Sequence, residues 1–399
     1  MFLIQIALSI KLSTSSGFRA IQKNLAIFLL YTGISFRAPS YTTILNWTKK
    51  IGYSQLMANI EKADDWVLIL DESIEFGHNK LLVIYGVRSS KIDFTRALGY
   101  QDLTVFAIIS GEQWTGVLIG EEIEKIQAKY GKIIYAVADG GNALKKALRL
   151  EHIPHVYDIT HKFAWFLQGA YKNDPEFQSY TQKMAKMRTA LSLSNVSHIL
   201  PPNQRAKSRF MNLKILSDWG SAALSYLSQN KVSTREYVEL KWVEAHAPLI
   251  EELSEINQML NGIMHILKTN GLSTGSIKKV NDIINANKSK GQRANKLKTD
   301  IKEFLCATKK IVPKQNTILC TSDIIESSFG KYKNYISNNP MVGVTDLSLC
   351  LAAFTSKLEI NRTKEVMESF KNRDIREWSK QNIGQTNLSR RNEILKKTG

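Results

Sequence analysis

Apolar positions change their period twice along the chain. In residues 1–60 they recur at helical spacing. Phe18, Ile21 and Leu25 share a face, which predicts a short helix over 16–25. After Pro39 a second helix is expected over 40–51. Ile44, Trp47 and Ile51 would point inward, with Tyr41, Thr42, Thr43, Asn46, Lys49 and Lys50 on the other face. From 65 to 160 short apolar runs take over. They predict strands at 66–71, 80–87, 96–109, 133–138 and 155–157, with helices over 113–130 and 142–150. Three early strands can form a meander, and the later ones need crossover helices. Residues 160–320 return to helical spacing, as in Phe163, Phe166 and Leu167, and again in Leu249, Leu253, Ile256, Leu260 and Ile263. Pro201, Pro202 and Gly271 break it. A helix start follows at 322, then a loop with Asn338, Asn339 and Pro340, a long amphipathic helix over 345–371 and a polar end from Gln381.

Composition adds a partner to this picture. The chain has 399 residues, is 43% hydrophobic and carries a formal charge of +18. It can bury a core, and its charge surplus points to a polyanion, most simply nucleic acid. Between Lys268 and Lys314 stand twelve Lys or Arg against three acids. A solvated helical face normally mixes signs, so this run suits a phosphate backbone. Lys278, Lys279, Lys288, Lys290 and Arg293 are its candidate contacts, joined by Lys49 and Lys50 in the first sixty residues. There, a short helix, a turn and a polar-faced second helix suggest a helix-turn-helix. Cys306, Cys320 and Cys350 have no metal-binding spacing, which fits a reducing cytoplasm. No apolar run has the length or flanks of a signal peptide or membrane span.

Three carboxylates carry the candidate chemistry. Asp71 ends the run Trp66-Val-Leu-Ile-Leu-Asp71, and Asp139 ends Ile133-Ile-Tyr-Ala-Val-Ala-Asp139 ahead of Gly140 and Gly141. Glu326 lies in the helix start at 322–333. Two acids at strand ends and a third on a late helix can hold two magnesium ions, with manganese able to substitute. Phosphoryl transfer needs that hard anionic cage, because one ion activates the nucleophile and the other stabilises the leaving oxygen. Asp71, on a central strand, would be the bridging ligand. Glu72 and Glu75 stand nearby, but alternation turns Glu72 to the opposite face. Asp323, one turn before Glu326, reads as a helix cap.

Strand order and acids together resemble the ribonuclease-H-like α/β fold, a mixed five-stranded sheet with flanking helices. The order Asp71, Asp139, Glu326 resembles the DDE transposases of bacterial insertion sequences. Asp158-Ile-Thr-His161, after the apolar Val156 and Tyr157, is similar to the Asp-x-x-His motif of members with a helical insertion. Glu326 followed seven positions later by Lys333 matches a lysine that contacts the transposon-end phosphate. The upstream Tyr and Arg of that longer motif are replaced by Leu319 and Ser322. The long stretch between Asp139 and Glu326 looks like the all-helical insert of hobo-type transposases.

The resemblance implies a DNA-binding head at 1–60, a catalytic core at 61–165 and 321–380, a helical insertion at 166–320 and a polar tail at 381–399. It implies magnesium-dependent cutting of transposon ends and joining of their 3′-hydroxyls to target DNA, in a homodimer or larger assembly. His161 would steady a phosphate near the site, and Trp219 and Trp242 are candidates for stacking on an extruded base. A bacterial, nucleoid-associated cytoplasmic protein is expected. The chain opens inside an apparent helix, so an upstream DNA-binding segment is also expected. The alternatives are a ribonuclease-H-fold nuclease or resolvase without strand transfer, and a transposase-derived DNA-binding protein lacking catalysis.

Overall fold

The computed structural model describes residues 1–72, 79–204, 210, 213–229, 232–336 and 343–396. Glu75 and the loop at Asn338, Asn339 and Pro340 lie outside the described residues. The chain divides into two units. One comprises Met1–Asp93, Leu98–Val156 and Ser322–Gly399, and the other Phe94–Ala97 and Tyr157–Thr321.

The first unit opens with helices α1 (Phe2–Ser13), α2 (Phe18–Thr32) and α3 (Tyr41–Leu56). Ser40 starts α3 by accepting a hydrogen bond from the Thr43 amide. Strands β1 (Ala63–Glu72), β2 (Lys80–Arg88) and β3 (Thr104–Gly111) then form an antiparallel meander. Helix α4 (Gly116–Tyr130) crosses over to β4 (Gly131–Ala138), which runs parallel to β1. Helix α5 (Asn142–Leu150) leads to the short β5 (His155–Tyr157), and the sheet order is β3-β2-β1-β4-β5. The turn between α4 and β4 requires a glycine. Gly131 has φ +101°, and a Cβ there would lie 2.1 Å from the Ala63 carbonyl oxygen.

Alternation divides the sheet into two faces. Leu68, Leu70, Leu82, Ile84, Ala136 and Ala138 pack with Ile119 and Ile123 of α4 and Leu144 and Leu148 of α5. The opposite face is covered by α13 (Asp323–Ile336) and α14 (Leu349–Ala353), whose places in the chain follow the second unit's helices. There Tyr85 of β2 donates to the Leu351 carbonyl at 3.2 Å and reaches Ser328 Oγ at 3.5 Å. Helix α3 lies tightly on α14, since a Cβ on Gly52 would fall 2.0 Å from the Leu349 carbonyl oxygen.

Three expectations change in this unit. The third strand begins at Thr104, not at 96, because Asp102 accepts from the Gly99 amide and folds Tyr100–Asp102 into a short turn. Tyr41 and Thr42 on the polar side of α3 stay exposed, but its two lysines are engaged within the unit. Lys49 pairs with Asp346 at 2.7 Å, and Lys50 donates to the Met367 carbonyl at 3.1 Å. The long helix over 345–371 is broken into α14 and α15 (Ile360–Ser369). All of Leu349–Ala353 is buried, so no solvent face sustains one amphipathic helix, and Thr355 Oγ1 donates back to Ala352 O at 2.9 Å, where α14 ends. Helices α16 (Asn372–Asn382) and α17 (Asn387–Lys396) finish the chain.

The second unit is helical: α6 (Ile159–Tyr171), α7 (Pro175–Leu191), α8 (Leu213–Leu227), α9 (Thr234–Leu240), α10 (Ala247–Asn270), α11 (Thr274–Ala286) and α12 (Gln292–Ile311). Its single β-bridge among the described residues joins Leu272 and Ile318. The long α10 buries Leu249, Leu253, Ile256, Leu260 and Ile263, the row its spacing anticipated. Phe94 belongs here because its ring covers Gly271, where a Cβ would approach it to 2.5 Å.

Candidate functional site

The last paired residues of β1 and β4 are Ile69 and Val137. Asp71 and Asp139 each stand two positions further on, so they end neighbouring parallel strands at the same level. Strands in a sheet lie about 4.8 Å apart, which puts the two backbones within reach of one shared ion. Both acids also share a face. Leu70 and Ala138 point into the α4–α5 core, so the alternate positions Asp71 and Asp139 point the other way. That is the face of Tyr85, which pairs with Ile69 and touches Ser328 of α13. Glu326 precedes Ser328 by two residues on that helix and is half-buried. Ser327 is bonded by the Tyr100 hydroxyl at 2.8 Å, and α13 packs against β1. Sheet register therefore directs Asp71 and Asp139 to one face, and the helix that carries Glu326 covers that face.

Asp139 is partly committed to its own backbone. Its Oδ1 accepts from the Gly141 amide at 2.8 Å, an Asx-turn that orients the carboxylate. Next to it, His155 Nε2 lies 3.3 Å from the Ala138 carbonyl. Burial holds this imidazole below its ordinary value. The Ala138 carbonyl opposes that, Lys145 lowers it further and Asp139 raises it. His155 escaped the sequence reading, and a histidine opening a three-residue strand next to a strand-end acid was its only signal. Lys333 is half-buried on α13 and makes no ion pair among the described residues. Seven residues at 1.5 Å each set it about 10.5 Å beyond Glu326, two turns along the same helix face.

In the helical unit Asp158 is fully buried and caps α6, its Oδ1 accepting from the His161 amide at 2.9 Å. His161 is half-buried in the first turn of that helix. Lys278, Lys279, Lys288 and Lys290 are exposed and make no ion pair among the described residues. Arg293 differs. Its guanidinium is held by Asp174 at 2.7 Å, Glu252 at 3.0 Å and Glu176 at 3.3 Å, tying α12 to α7 and α10.

The tryptophans also part ways. Trp219 and Trp242 stack on each other with centroids 6.1 Å apart, and Trp219 Nε1 donates to the Ile199 carbonyl at 3.3 Å. Trp165 of α6, not singled out by its sequence context, is 61% exposed. The Lys162 ammonium sits 3.9 Å from its ring centroid. It borders a cavity of about 510 Å³ between α6 and α12, lined also by Phe166, Lys172, Lys296 and Asp300.

Among the described residues no helix is long and apolar enough to cross a membrane. No protein-family model and no curated protein matches the chain. Among solved structures it is similar to the Drosophila P element transposase strand transfer complex, at 12% identity and a TM-score of 0.44 over 90% of this chain and 92% of that one. A superposition that loose carries no weight for fold or chemistry.

Proposed function

We propose that the chain is a DNA transposase of the DDE type, built on a ribonuclease-H-like core. One arrangement carries this: Asp71 and Asp139 end neighbouring parallel strands, on the sheet face covered by the helix of Glu326. The order β3-β2-β1-β4-β5, an antiparallel meander followed by a parallel strand, supports the core assignment. The donors are carboxylate oxygens, which fit hard divalent cations. Asp71, Asp139 and Glu326 would hold two magnesium ions, or manganese, which supply an activated nucleophile and a stabilised leaving oxygen.

In this assignment Asp71 would be the most rigidly held ligand, because β1 is hydrogen-bonded on both sides, to β2 and to β4. Asp139 keeps one oxygen on the Gly141 amide and offers the other. Glu326 closes the cage from α13. Lys333 neutralises a DNA phosphate further along the helix, and His161 steadies another. Lys278, Lys279, Lys288 and Lys290 follow the phosphate backbone by charge, at the affinity and salt sensitivity such contacts carry. Arg293 is better assigned to holding helices together, and Lys49 and Lys50 to docking α3. Trp165, with an open ring and lysines around it, suits base stacking better than Trp219 or Trp242. The partners are double-stranded DNA ends and target, engaged by a dimer or larger assembly of a bacterial insertion-sequence protein.

The test is an in vitro reaction with the DNA that flanks the coding frame on both sides. Purified chain and the Asp71→Ala variant are incubated with that DNA and a supercoiled target, with magnesium, manganese or chelator. Metal-dependent cleavage followed by covalent joining of 3′-ends to target, absent in the variant, is expected. Cleavage that never leads to joining would leave a nuclease. Equal binding by both proteins without cleavage would leave a DNA-binding protein.

A further inference from the structure

Strand β3 is an edge strand, and among the described residues it pairs only with β2. Its outer side opens into a groove of about 440 Å³ whose floor is the run Phe106–Ile109. Helix α4 forms one wall, with Ile126, Glu122 and Lys125. The other wall comes from Tyr53 and Met57 of α3 and from Trp378 and Glu377 of α16. All of these residues belong to the first unit. An unpaired edge offers backbone donors and acceptors to any extended chain that can reach it, and proteins ordinarily block such edges. Here the strand carries a bulge beside Phe106, where Ile84 pairs with Ala107 and Tyr85 with Val105. Beyond the bulge, from Ala107 to Gly111, the pairing with β2 is regular. Among the described residues the edge is walled but its groove is not filled.

Two features choose the occupant. Walls on both sides of the strand leave room for one extended segment, and they obstruct a second copy's sheet edge, which carries the same walls. Charge decides its composition. In a chain of net charge +18 the groove is lined by Asp374 and Glu377 on α16 and by Glu122, Lys125 and Lys129 on α4. Lys125 is already bonded to Glu122 at 2.6 Å. Glu377 is 61% exposed, with only a long 3.6 Å contact to Arg373. The Tyr53 hydroxyl is pushed up by burial and, after it, by the charges of Asp374 and Glu377, which line the same groove.

We propose that the β3 groove binds an extended, cationic peptide segment of a partner protein as a sixth strand, with alternate apolar side chains against Met57, Ile126 and Trp378 and alternate Lys or Arg toward Asp374 and Glu377 of α16. Main-chain pairing supplies the affinity and the alternate side chains the selection, as in other strand-addition complexes. The site is independent of the three-acid face and of whatever that face does.

The probe is a fluorescent eight-residue peptide alternating Val and Lys, titrated into the full chain and followed by anisotropy, with amide hydrogen exchange on the same samples. Saturable binding and slowed exchange over Ala107–Ile109 are expected. Replacing two central residues of the peptide by Pro removes backbone donors and should weaken binding by about tenfold or more. Glu377→Lys, at an exposed position, should weaken it by roughly fivefold without changing the fold. Equal binding of the Pro peptide, or of a Val and Glu peptide, would overturn the proposal, as would unchanged exchange in β3. So would β3 amides already protected in a concentration-dependent dimer, because a second copy would then be the occupant.

Discussion

The sheet unit and the helical unit use their polar and aromatic residues in opposite ways. In the sheet unit the strand-end acids are displayed by backbone geometry. Asp71 and Asp139 emerge on one face because β1 and β4 are in register and alternation leaves no other choice. In the helical unit the conspicuous side chains are consumed by packing. Arg293 holds three carboxylates, and Trp219 stacks on Trp242. A strand has only two faces, so a residue's side follows from counting. A helix surrounded by others has several, and the choice among them is made by neighbours remote in sequence. Residues that stand out in a helical sequence are thus poor guides to its surface, and the exposed Trp165 was the inconspicuous one.

Five substitutions test this contrast. The largest effect is expected for Asp139→Ala. It should lower metal-dependent DNA cleavage by about a thousandfold or more, some 4 kcal/mol of barrier. Losing the hydrogen bond to Gly141 should cost only about 1 kcal/mol of stability in urea unfolding. An Asp139→Ala protein that unfolds instead would give this acid a structural role. Arg293→Met should cost about 3–5 kcal/mol, because it leaves Asp174, Glu176 and Glu252 facing one another without their cation. If DNA affinity fell while thermal stability held, Arg293 would be a phosphate contact after all.

The tryptophans should behave as a reciprocal pair. Trp165→Ala is expected to weaken single-strand DNA binding by about 1–3 kcal/mol and leave the melting temperature unchanged. Trp219→Ala should lower the melting temperature and leave the affinity of the folded protein alone. The smallest effect concerns Lys11, which the sheet unit consumes as the helical unit consumes Arg293. It is fully buried on α1, with its ammonium 3.1 Å from the Tyr335 ring centroid and bonded to the Ser16 carbonyl at 3.0 Å. Burial lowers it to about 8. An unfolded lysine titrates near ~10.4, so the unfolded chain holds the extra proton between those values and stability rises as pH climbs through that window. Lys11→Met should remove that rise and stabilise the protein at pH 7 by about 1–2 kcal/mol, read from denaturant curves at pH 7 and pH 10.

Much of the sheet unit could be read from residue order. The apolar runs ending at Asp71 and Asp139 marked β1 and β4, and the break at Pro39 marked the start of α3. Contacts distant in sequence decided the rest. The polar side of α3 read as a DNA-facing surface until Asp346 and the Met367 carbonyl, some three hundred residues away, took its two lysines. The amphipathic pattern after 345 promised one long helix, but total burial of Leu349–Ala353 removed its solvent face. The run at 96–109 read as one strand, but Tyr100–Asp102 folds into a short turn and the strand begins at Thr104.

What residue order alone determined is the local period of each segment, the net charge of +18 and the chemical identity of three candidate oxygen donors. Steric alternation and helical pitch act over a few residues, so those properties are written locally. Which helix covers the face of the strand-end acids, which cations stay unpaired and which aromatic rings remain open were decided only by tertiary structure. Each depends on the burial and pairing of groups brought together from remote parts of the chain, and no window of neighbouring residues contains that information.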